Sequence, residues 1–390
     1  MKLDLPDDLL DLAGILHGSR AFIGPEHVVL DLTNRCELNC LGCWTYSPLL
    51  RGLEPPGLWK HTQLRSAMVE TLIDDLADLG TKRIRFTGGG EPFLHHNALA
   101  FARRIKERGM TLAVTTSFTP VTVPMIDTMI DLGLDTLSVS LWAGTAETFS
   151  RTHPNRTERT FERVTENLRH LLANRRNGKP ELILLDVVCS TNFHEVRGML
   201  EYALELGADG VYYTLVDAIR GRTDGLLLNA EQRNLVLAEA PGILARVEEV
   251  QATGKPFLLD NFDGFLTRLR SPGADLGVYD KQELEHLPCT VGWHFCRILA
   301  DGRVAPCCRG AEHPLGDLKE QRFKDIWHSP TYDDFRRKAR DLPKTDPYFH
   351  RLGCYIMCDN LMHIRNLERK LAELPGEVRA ELQRTVEGLS

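Results

Sequence analysis

Residues 28–43 read Val-Val-Leu-Asp-Leu-Thr-Asn-Arg-Cys-Glu-Leu-Asn-Cys-Leu-Gly-Cys, an apolar run followed closely by three cysteines. The run predicts a buried strand, and Cys36, Cys40 and Cys43 follow it with the spacing C-x3-C-x2-C. Three thiolates this close together suit a soft metal centre, such as an iron–sulfur cluster, zinc or copper(I). A four-iron cluster ordinarily takes four cysteines, so three leave one iron with an open, reactive position. A zinc site whose fourth ligand lies elsewhere is the alternative that the spacing leaves open.

A second motif follows the next predicted strand. Residues 82–92 read Lys-Arg-Ile-Arg-Phe-Thr-Gly-Gly-Gly-Glu-Pro. Glycines at the end of a strand expose backbone groups to a ligand and permit positive φ, and a neighbouring carboxylate can take an ammonium group. Read alone, the glycines also fit a tight turn. Together with the cysteine triplet one strand earlier, this segment resembles the radical S-adenosylmethionine (SAM) superfamily.

The resemblance implies a [4Fe–4S] cluster held by the three cysteines, with the amino and carboxylate groups of SAM chelating the fourth iron. It implies that one electron from this cluster cleaves SAM to methionine and a 5′-deoxyadenosyl radical, which abstracts hydrogen from an unactivated C–H bond. The residues that would receive the methionyl ammonium are Gly88, Gly89, Gly90 and Glu91.

Composition narrows the class of protein. With 47 basic and 54 acidic residues the net charge is −7, and without a long basic run the chain lacks the electrostatic footprint of a nucleic-acid-binding protein. No apolar stretch approaches the roughly 20 residues of a membrane span, and the acidic N-terminus lacks a signal-peptide core. The clustering of the ten cysteines suggests metal ligation in a reducing cytoplasm.

From residue 27 onward, short β-branched runs alternate with helical patterns, which predicts parallel βαβ units in an α/β fold. Strands are predicted at 28–33, 83–87, 110–116, 135–141, 181–189 and 210–216. Helices are predicted at 66–79, 97–108, 122–132, 158–175 and 194–206, several of them ending at Gly80, Gly109, Gly133 and Gly207. Six units are too few for a closed eight-fold barrel. The resemblance implies a partial (β/α)6 TIM-like barrel with its chemistry at the C-terminal ends of the strands.

The strand ends supply further SAM contacts that the resemblance implies. Ser140 lies where family members place a hydroxyl near the SAM ribose, although an ordinary strand-end serine is the alternative. Asn192 resembles a recurrent ribose or carboxylate contact, or else caps the helix that follows it. The remaining candidates for SAM binding are Trp44, Thr116, Ser117 and Leu215.

The connection at 44–65 is long, stiff and aromatic, which favours a lid or a substrate wall near the cluster. Its charged residues could bind polar substrate groups or remain solvated. They are Arg51, Glu54, Lys60 and Arg65.

A second set of cysteines lies in the last quarter of the chain: Cys289, Cys296, Cys307, Cys308, Cys354 and Cys358. Twelve residues separate Cys289 from Gly302 and four more precede Cys307, which resembles the Twitch or SPASM extension of radical SAM enzymes. That extension ligates an auxiliary cluster through C-x(9–15)-G-x4-C and a later cysteine pair. Six cysteines, where a full SPASM domain needs at least seven, favour a Twitch domain with one [4Fe–4S] cluster. Its predicted ligands are Cys289, Cys307, Cys354 and Cys358.

Three cysteines remain outside these two ligand sets. Cys296 is a competing auxiliary ligand, and Cys189, Cys296 and Cys308 are candidate thiol hydrogen donors. Small buried side chains are the alternative for each of them. A zinc ribbon rivals the auxiliary cluster, but the wide separation of the cysteine pairs argues against it.

The resemblance divides the chain into an N-terminal extension (1–26), a radical SAM partial barrel (27–222), a connecting, substrate-side region (223–285), a Twitch domain (286–362) and a C-terminal helix (363–390). The connecting region contains no motif. Its acids Asp260, Asp263 and Asp280 are candidates for a substrate hydroxyl, with surface or capping roles as the alternative.

About 27 residues precede the first predicted strand, which is too few for the leader-peptide-binding domain of roughly 80–100 residues that many peptide-modifying relatives carry. We therefore expect a sugar- or aminocyclitol-like small-molecule alcohol as substrate, undergoing dehydrogenation or epimerisation in natural-product or carbohydrate biosynthesis. The alternatives are a maturase of a ribosomal peptide and a non-catalytic metal-cluster protein. A reductase, flavodoxin or ferredoxin is the expected electron donor.

Overall fold

The computed structural model describes residues 5–53 and 55–388, so that Glu54 of the predicted lid lies outside the described residues. The strands form a single ten-stranded sheet. They are β1 (His27–Asp31), β2 (Arg83–Thr87), β3 (Thr111–Thr116), β4 (Thr136–Ser140), β5 (Glu181–Val188), β6 (Gly210–Leu215), β7 (Leu258–Asp260), β8 (Phe295–Ile298), β9 (Arg303–Ala305) and β10 (Gly316–Asp317).

Helices cover the outer face of the sheet and build the C-terminal part of the chain. No helix of the described ranges is long and apolar enough to cross a bilayer. The helices are α1 (Asp7–His17), α2 (Gly57–Lys60), α3 (Ser66–Asp78), α4 (Ala98–Glu107), α5 (Val123–Asp131), α6 (Ala146–Thr152), α7 (Glu158–Asn174), α8 (Val196–Leu206), α9 (Ala230–Ala252), α10 (Phe262–Leu269), α11 (Lys281–Leu284), α12 (Val291–His294), α13 (Phe323–Trp327), α14 (Pro330–Arg340), α15 (Pro347–Arg351), α16 (Leu361–Glu373) and α17 (Gly376–Glu387).

The sheet is an open barrel, as predicted. Its strand order is β10-β9-β8-β1-β2-β3-β4-β5-β6-β7, and β1 to β7 are parallel. The six predicted strands and five predicted helices are all present, with bounds that differ by two residues at most. The four glycines predicted to end helices all have positive φ, a conformation that glycine adopts without steric cost.

The pairing of β8 with β1 is a feature that the sequence analysis did not predict. The two strands are parallel, and Val29 lies opposite Arg297. From β8 the chain returns through an antiparallel hairpin to β9, turning at Gly302 with φ 92°. The last quarter of the chain therefore continues the barrel sheet, beside the strand that leads into the cysteine triplet. The domain boundary at residue 286 stays a prediction.

Alternate residues of β1 belong to two different cores. Val28 and Leu30 lie in the main core, among residues of the surrounding helices. Val29 lies in a second core with Val291 and Phe295, against which the cysteines of the C-terminal region pack. This alternation follows from the two-residue period of a strand, and it places the two cores on opposite faces of β1.

Arg336 of α14 is a fully buried cation that joins several C-terminal helices. Its Nε donates to the carbonyl of Gly292 at 2.7 Å, and one terminal nitrogen donates to the carbonyl of Trp327 at 2.8 Å. The guanidinium also lies over the rings of Trp327 and Tyr332 and pairs with Asp333. A buried charge is tolerated where every donor finds a partner, as here.

We predict that Arg336→Met lowers the free energy of unfolding by about 3 kcal/mol, because it leaves two carbonyls and a carboxylate without their donor. Chemical denaturation measures this change. The control is Arg337→Gln, since Arg337 is exposed and pairs only with Asp334 among the described residues, with an expected loss below about 0.5 kcal/mol. Equal losses of unfolding free energy in the two variants would contradict the role of Arg336 as the buried cation that joins these helices.

Candidate functional site

The cysteine triplet lies in the loop that leaves β1, and its three thiols are partly buried. The amide of Cys43 donates to the carbonyl of Cys40 at 3.0 Å, and the sulfur of Cys43 accepts the amide of Tyr46 at 3.3 Å. Burial, together with the nearby Glu37 carboxylate, raises the pKa of the Cys36 thiol to about 12. Burial and the two neighbouring thiols raise the pKa of Cys40 as well. Because desolvated thiolates need a cation beside them, this donor set fits an iron centre.

The glycine segment after β2 docks directly onto the cysteine loop. The amide of Glu91 donates to the carbonyl of Arg35 at 2.7 Å. A Cβ atom on Gly90 would lie 2.2 Å from that carbonyl oxygen, and Gly88, with φ 146°, packs against Asp31. Only glycine allows so close an approach of two backbones. The two motifs of the sequence analysis therefore form one unit at the C-terminal ends of β1 and β2.

The carboxylate of Glu91 is buried beneath this unit. It accepts the hydroxyl of Thr116 at 2.7 Å and both the amide and the hydroxyl of Ser117, at 2.8 and 2.9 Å. Burial, together with the neighbouring Glu37 carboxylate, raises the pKa of Glu91 to about 7. Three predicted cofactor residues are thus linked in one hydrogen-bond network, which orients the glycine segment. Their direct contact with SAM stays a prediction.

The sequence analysis missed Glu37, the acid inside the C-x3-C spacing. One of its carboxylate oxygens accepts hydroxyls of Ser117 and Thr119. The other is buried without a hydrogen-bond partner among the described residues. The buried carboxylate of Glu91 and the half-buried carboxylate of Glu37 together favour a cationic group. The position of Glu37 in the motif was the signal that could have revealed it.

The other predicted SAM contacts already have partners within the protein. The hydroxyl of Ser140 accepts the indole N–H of Trp142 at 2.8 Å. Asn192 accepts the amide of Cys189 and donates to the carbonyl of Trp142, so it ties the end of β5 to the end of β4. In the described residues its side chain does not cap the following helix. Leu215 is buried at the end of β6.

Trp142 is a second residue that the sequence analysis missed, and no signal in the sequence marks it. It has φ 59°, a strained conformation for a bulky residue. A Cβ atom on Gly42, between two cysteines of the triplet, would lie 3.2 Å from the Trp142 ring. The buried carboxylate of Asp186 accepts the amide of Ala143 at 3.2 Å and so holds the turn. Trp142 thus supports the cysteine loop from below.

A cavity of about 720 Å³ opens above the triplet. Trp44, Pro55, Pro56 and Trp59 of the predicted lid form one wall. The lining also includes Arg297 of β8, which forms an ion pair with Asp31 of β1 at 2.8 Å. Of the described lid charges, none lines this cavity. The position of the aromatic residues is consistent with the expected lid or substrate wall.

The four predicted auxiliary ligands line one apolar cavity in the second core: Cys289, Cys307, Cys354 and Cys358. Phe335 and Phe349 are among its apolar walls. Burial raises the pKa of Cys307 and Cys358 far above the ordinary value, and the neighbouring thiols add to the effect. As at the first site, several desolvated thiols that line one cavity fit an iron–sulfur cluster.

The three candidate hydrogen donors lie in different surroundings. Cys189 and Cys296 are completely buried, and Cys296 is part of the main core. Cys308 lines both the auxiliary cavity and the 720 Å³ cavity above the triplet. Cys308 is therefore the thiol placed between the two sites, and its role as a hydrogen donor stays a prediction.

Comparisons with known proteins agree with this arrangement. Residues 30–203 match the model of the radical SAM superfamily, and residues 289–347 match that of the SPASM iron–sulfur cluster-binding domain. The chain is 28% identical over 326 residues to AdoMet-dependent heme synthase of Methanosarcina barkeri, covering 81% of this chain and 85% of that protein. It is 26% identical over 311 residues to PqqA peptide cyclase of Xanthomonas euvesicatoria pv. vesicatoria, covering 78% and 74%. The structure of anSMEcpe with bound AdoMet and Kp18Cys peptide has a TM-score of 0.59 at 15% identity, covering 94% of this chain and all of that one.

These findings contradict the expected sugar- or aminocyclitol-like substrate. The two relatives take their names from heme synthesis and from the cyclisation of a peptide. The expectation rested on the length of chain ahead of β1, which carries no information on the shape or charge of the cavity. The comparisons do not support the epimerase and carbohydrate assignments either.

We predict that Gly90→Ala weakens SAM binding at least about 10-fold, since the added Cβ would push the glycine segment away from Arg35. Equilibrium dialysis of the reconstituted protein with labelled SAM measures the affinity. The control is Gly376→Ala at the start of α17, where a Cβ meets nothing within 4 Å. Unchanged affinity in Gly90→Ala would show that the close docking of the two loops is unimportant for SAM.

Proposed function

We propose, from the premise that this chain is a radical SAM enzyme with a C-terminal SPASM domain, that it modifies a residue within a peptide. The radical SAM domain binds SAM and a [4Fe–4S] cluster, and the SPASM domain binds an auxiliary cluster. When bound, SAM and its cluster supply a 5′-deoxyadenosyl radical that takes a hydrogen atom from a C–H bond. The protein orients the substrate and keeps water from the radical.

The charge of the cavity above the triplet is the observation that favours a peptide over a tetrapyrrole as substrate. Its carboxylates outnumber its guanidinium groups by two. A tetrapyrrole with several carboxylates meets repulsion there, whereas a neutral or basic peptide residue does not. The residues concerned are Asp31, Asp301, Glu312 and Asp359, against Arg297 and Arg303.

The shape and composition of the cavity support the same choice. Its aromatic and proline residues present apolar surface to a side chain, and the ion pair of Asp31 with Arg297 adds fixed polar atoms to the lining. A binding site of this kind combines an apolar wall with a few positioned polar groups. Cys43, Gly88 and Gly89 line the same cavity, so a peptide residue bound against the lid would lie beside the SAM-binding motifs.

Different residues of the chain position the two motifs and cover the substrate. Arg35 and Gly90 hold the cysteine loop and the glycine segment together, and Glu91 fixes that segment to the end of β3. The lid tryptophans Trp44 and Trp59 cover the substrate side. Cys308 lines both the cavity above the triplet and the auxiliary cavity, and an auxiliary cluster there would accept the electron left on the substrate, which would make the modification oxidative, as in a cross-link. The enzyme also needs an external reductant, and a flavodoxin or ferredoxin suits that role.

A tetrapyrrole is the second candidate substrate. The observation in its favour is the alignment with the heme synthase over 81% of the chain at 28% identity. Arg297 and Arg303 would then bind its carboxylates.

Substrate-dependent cleavage of SAM distinguishes the two. We predict that short peptides encoded next to the gene raise 5′-deoxyadenosine formation at least about 10-fold over the rate without substrate, since a bound substrate completes the site. The peptide product should be two hydrogens lighter by mass spectrometry. Stimulation by an iron porphyrin with propionate side chains, and not by any peptide, would contradict the proposal. The Cys36→Ala variant controls for cleavage that does not depend on the cluster.

A further inference from the structure

The connecting region, for which the sequence predicts no motif, contains a buried ion pair. Arg268 of α10 binds Asp280 through two parallel hydrogen bonds, Nε at 2.9 Å and a terminal nitrogen at 2.8 Å. The two residues are only 8% and 6% exposed. A buried pair of this kind needs its remaining donors and acceptors satisfied, so their other partners show what the pair does.

Those partners are the backbone groups of a predicted auxiliary ligand. The amide of Cys358 donates to the Asp280 carboxylate at 2.8 Å, and the carbonyl of Cys358 accepts from Arg268 at 3.1 Å. The amides of Tyr279 and Asp280 also donate to the carbonyl of Ile356, at 2.8 and 3.0 Å. The pair therefore holds Cys358 on both sides of its Cα atom, and the segment before it is held as well.

The pair lies in the wall between two very different cavities. On one side is the apolar cavity of the auxiliary cysteines. On the other is an outward-facing cleft of about 320 Å³, lined by polar groups such as Asn261, Thr267 and Gln282. Cys358 lines both cavities. Any net charge left on the pair would act on a cluster at Cys358 across low-dielectric surroundings, where charges interact strongly.

We propose that Arg268 and Asp280 are positioning residues of the auxiliary cluster, which fix Cys358 and set the cluster's reduction potential by cancelling each other's charge. The outer partners of a metal ligand orient it and tune the metal. The potential of an iron–sulfur cluster depends on the charges and hydrogen bonds around it. This role goes beyond the proposed function, and it holds whatever the substrate is.

The two charges predict shifts of opposite sign. Asp280→Asn leaves Arg268 uncompensated, which favours the more negative reduced cluster and raises the midpoint potential. Arg268→Met leaves Asp280 uncompensated and lowers it. The double variant restores neutrality and should return close to the starting potential. The two single variants and the double variant are combined with the Cys36/Cys40/Cys43→Ala substitutions. An EPR-monitored redox titration then reports the auxiliary cluster alone.

Asp75→Asn is the matched control. Asp75 is a buried carboxylate paired with Arg322, and neither side chain has a hydrogen bond to a cysteine among the described residues. The midpoint potential of the auxiliary cluster should stay unchanged in this variant. Loss of auxiliary iron from both single variants, with the control retaining it, also supports the positioning role. Shifts of the same sign, no shift, or an equal shift in Asp75→Asn would overturn the proposal.

Discussion

The parallel pairing of β1 with both β2 and β8 determines where the reactive groups of this protein lie. Parallel strands end at the same edge of a sheet, so the loop after β1 and the glycines after β2 must meet. The same pairing brings Arg297 of β8 beside Asp31 of β1, and the ion pair closes the wall of the cavity. One strand therefore positions the cysteine triplet, the glycine segment and the first strand of the SPASM region.

Buried acidic groups are the second constraint shared by both cysteine sites. Glu91 is buried next to the half-buried Glu37, and the thiols of both sites are desolvated by burial. Isolated negative charges in such surroundings are costly. Both cysteine sites therefore need cationic partners, and iron centres provide them. At the auxiliary site, the Arg268–Asp280 pair adds no net charge while it holds the backbone of Cys358.

The sequence predicted local features well and long-range contacts poorly. The barrel elements were found because their periodicity and glycine ends are local signals, and the two motifs gave the superfamily because their spacing is distinctive. The β1–β8 pairing joins residues more than 260 positions apart, and nothing local in either strand indicates its partner. Asp280 was read as one of three acids in a region without motifs, since its role depends on Cys358, which lies 78 positions later. The prediction of the substrate class was wrong for a similar reason, because the charge of the cavity is assembled from segments that are distant in the sequence.

The measurement that tests this account most directly is iron and sulfide per chain after anaerobic reconstitution, in the wild type and in the Cys36/Cys40/Cys43→Ala variant. The account predicts about eight irons in the wild type and about four in the variant, because each site holds its own four-iron cluster. About four irons falling to none would contradict it. The cysteines around Cys358 would then bind no cluster, and the oxidative modification of a peptide would lose its electron acceptor.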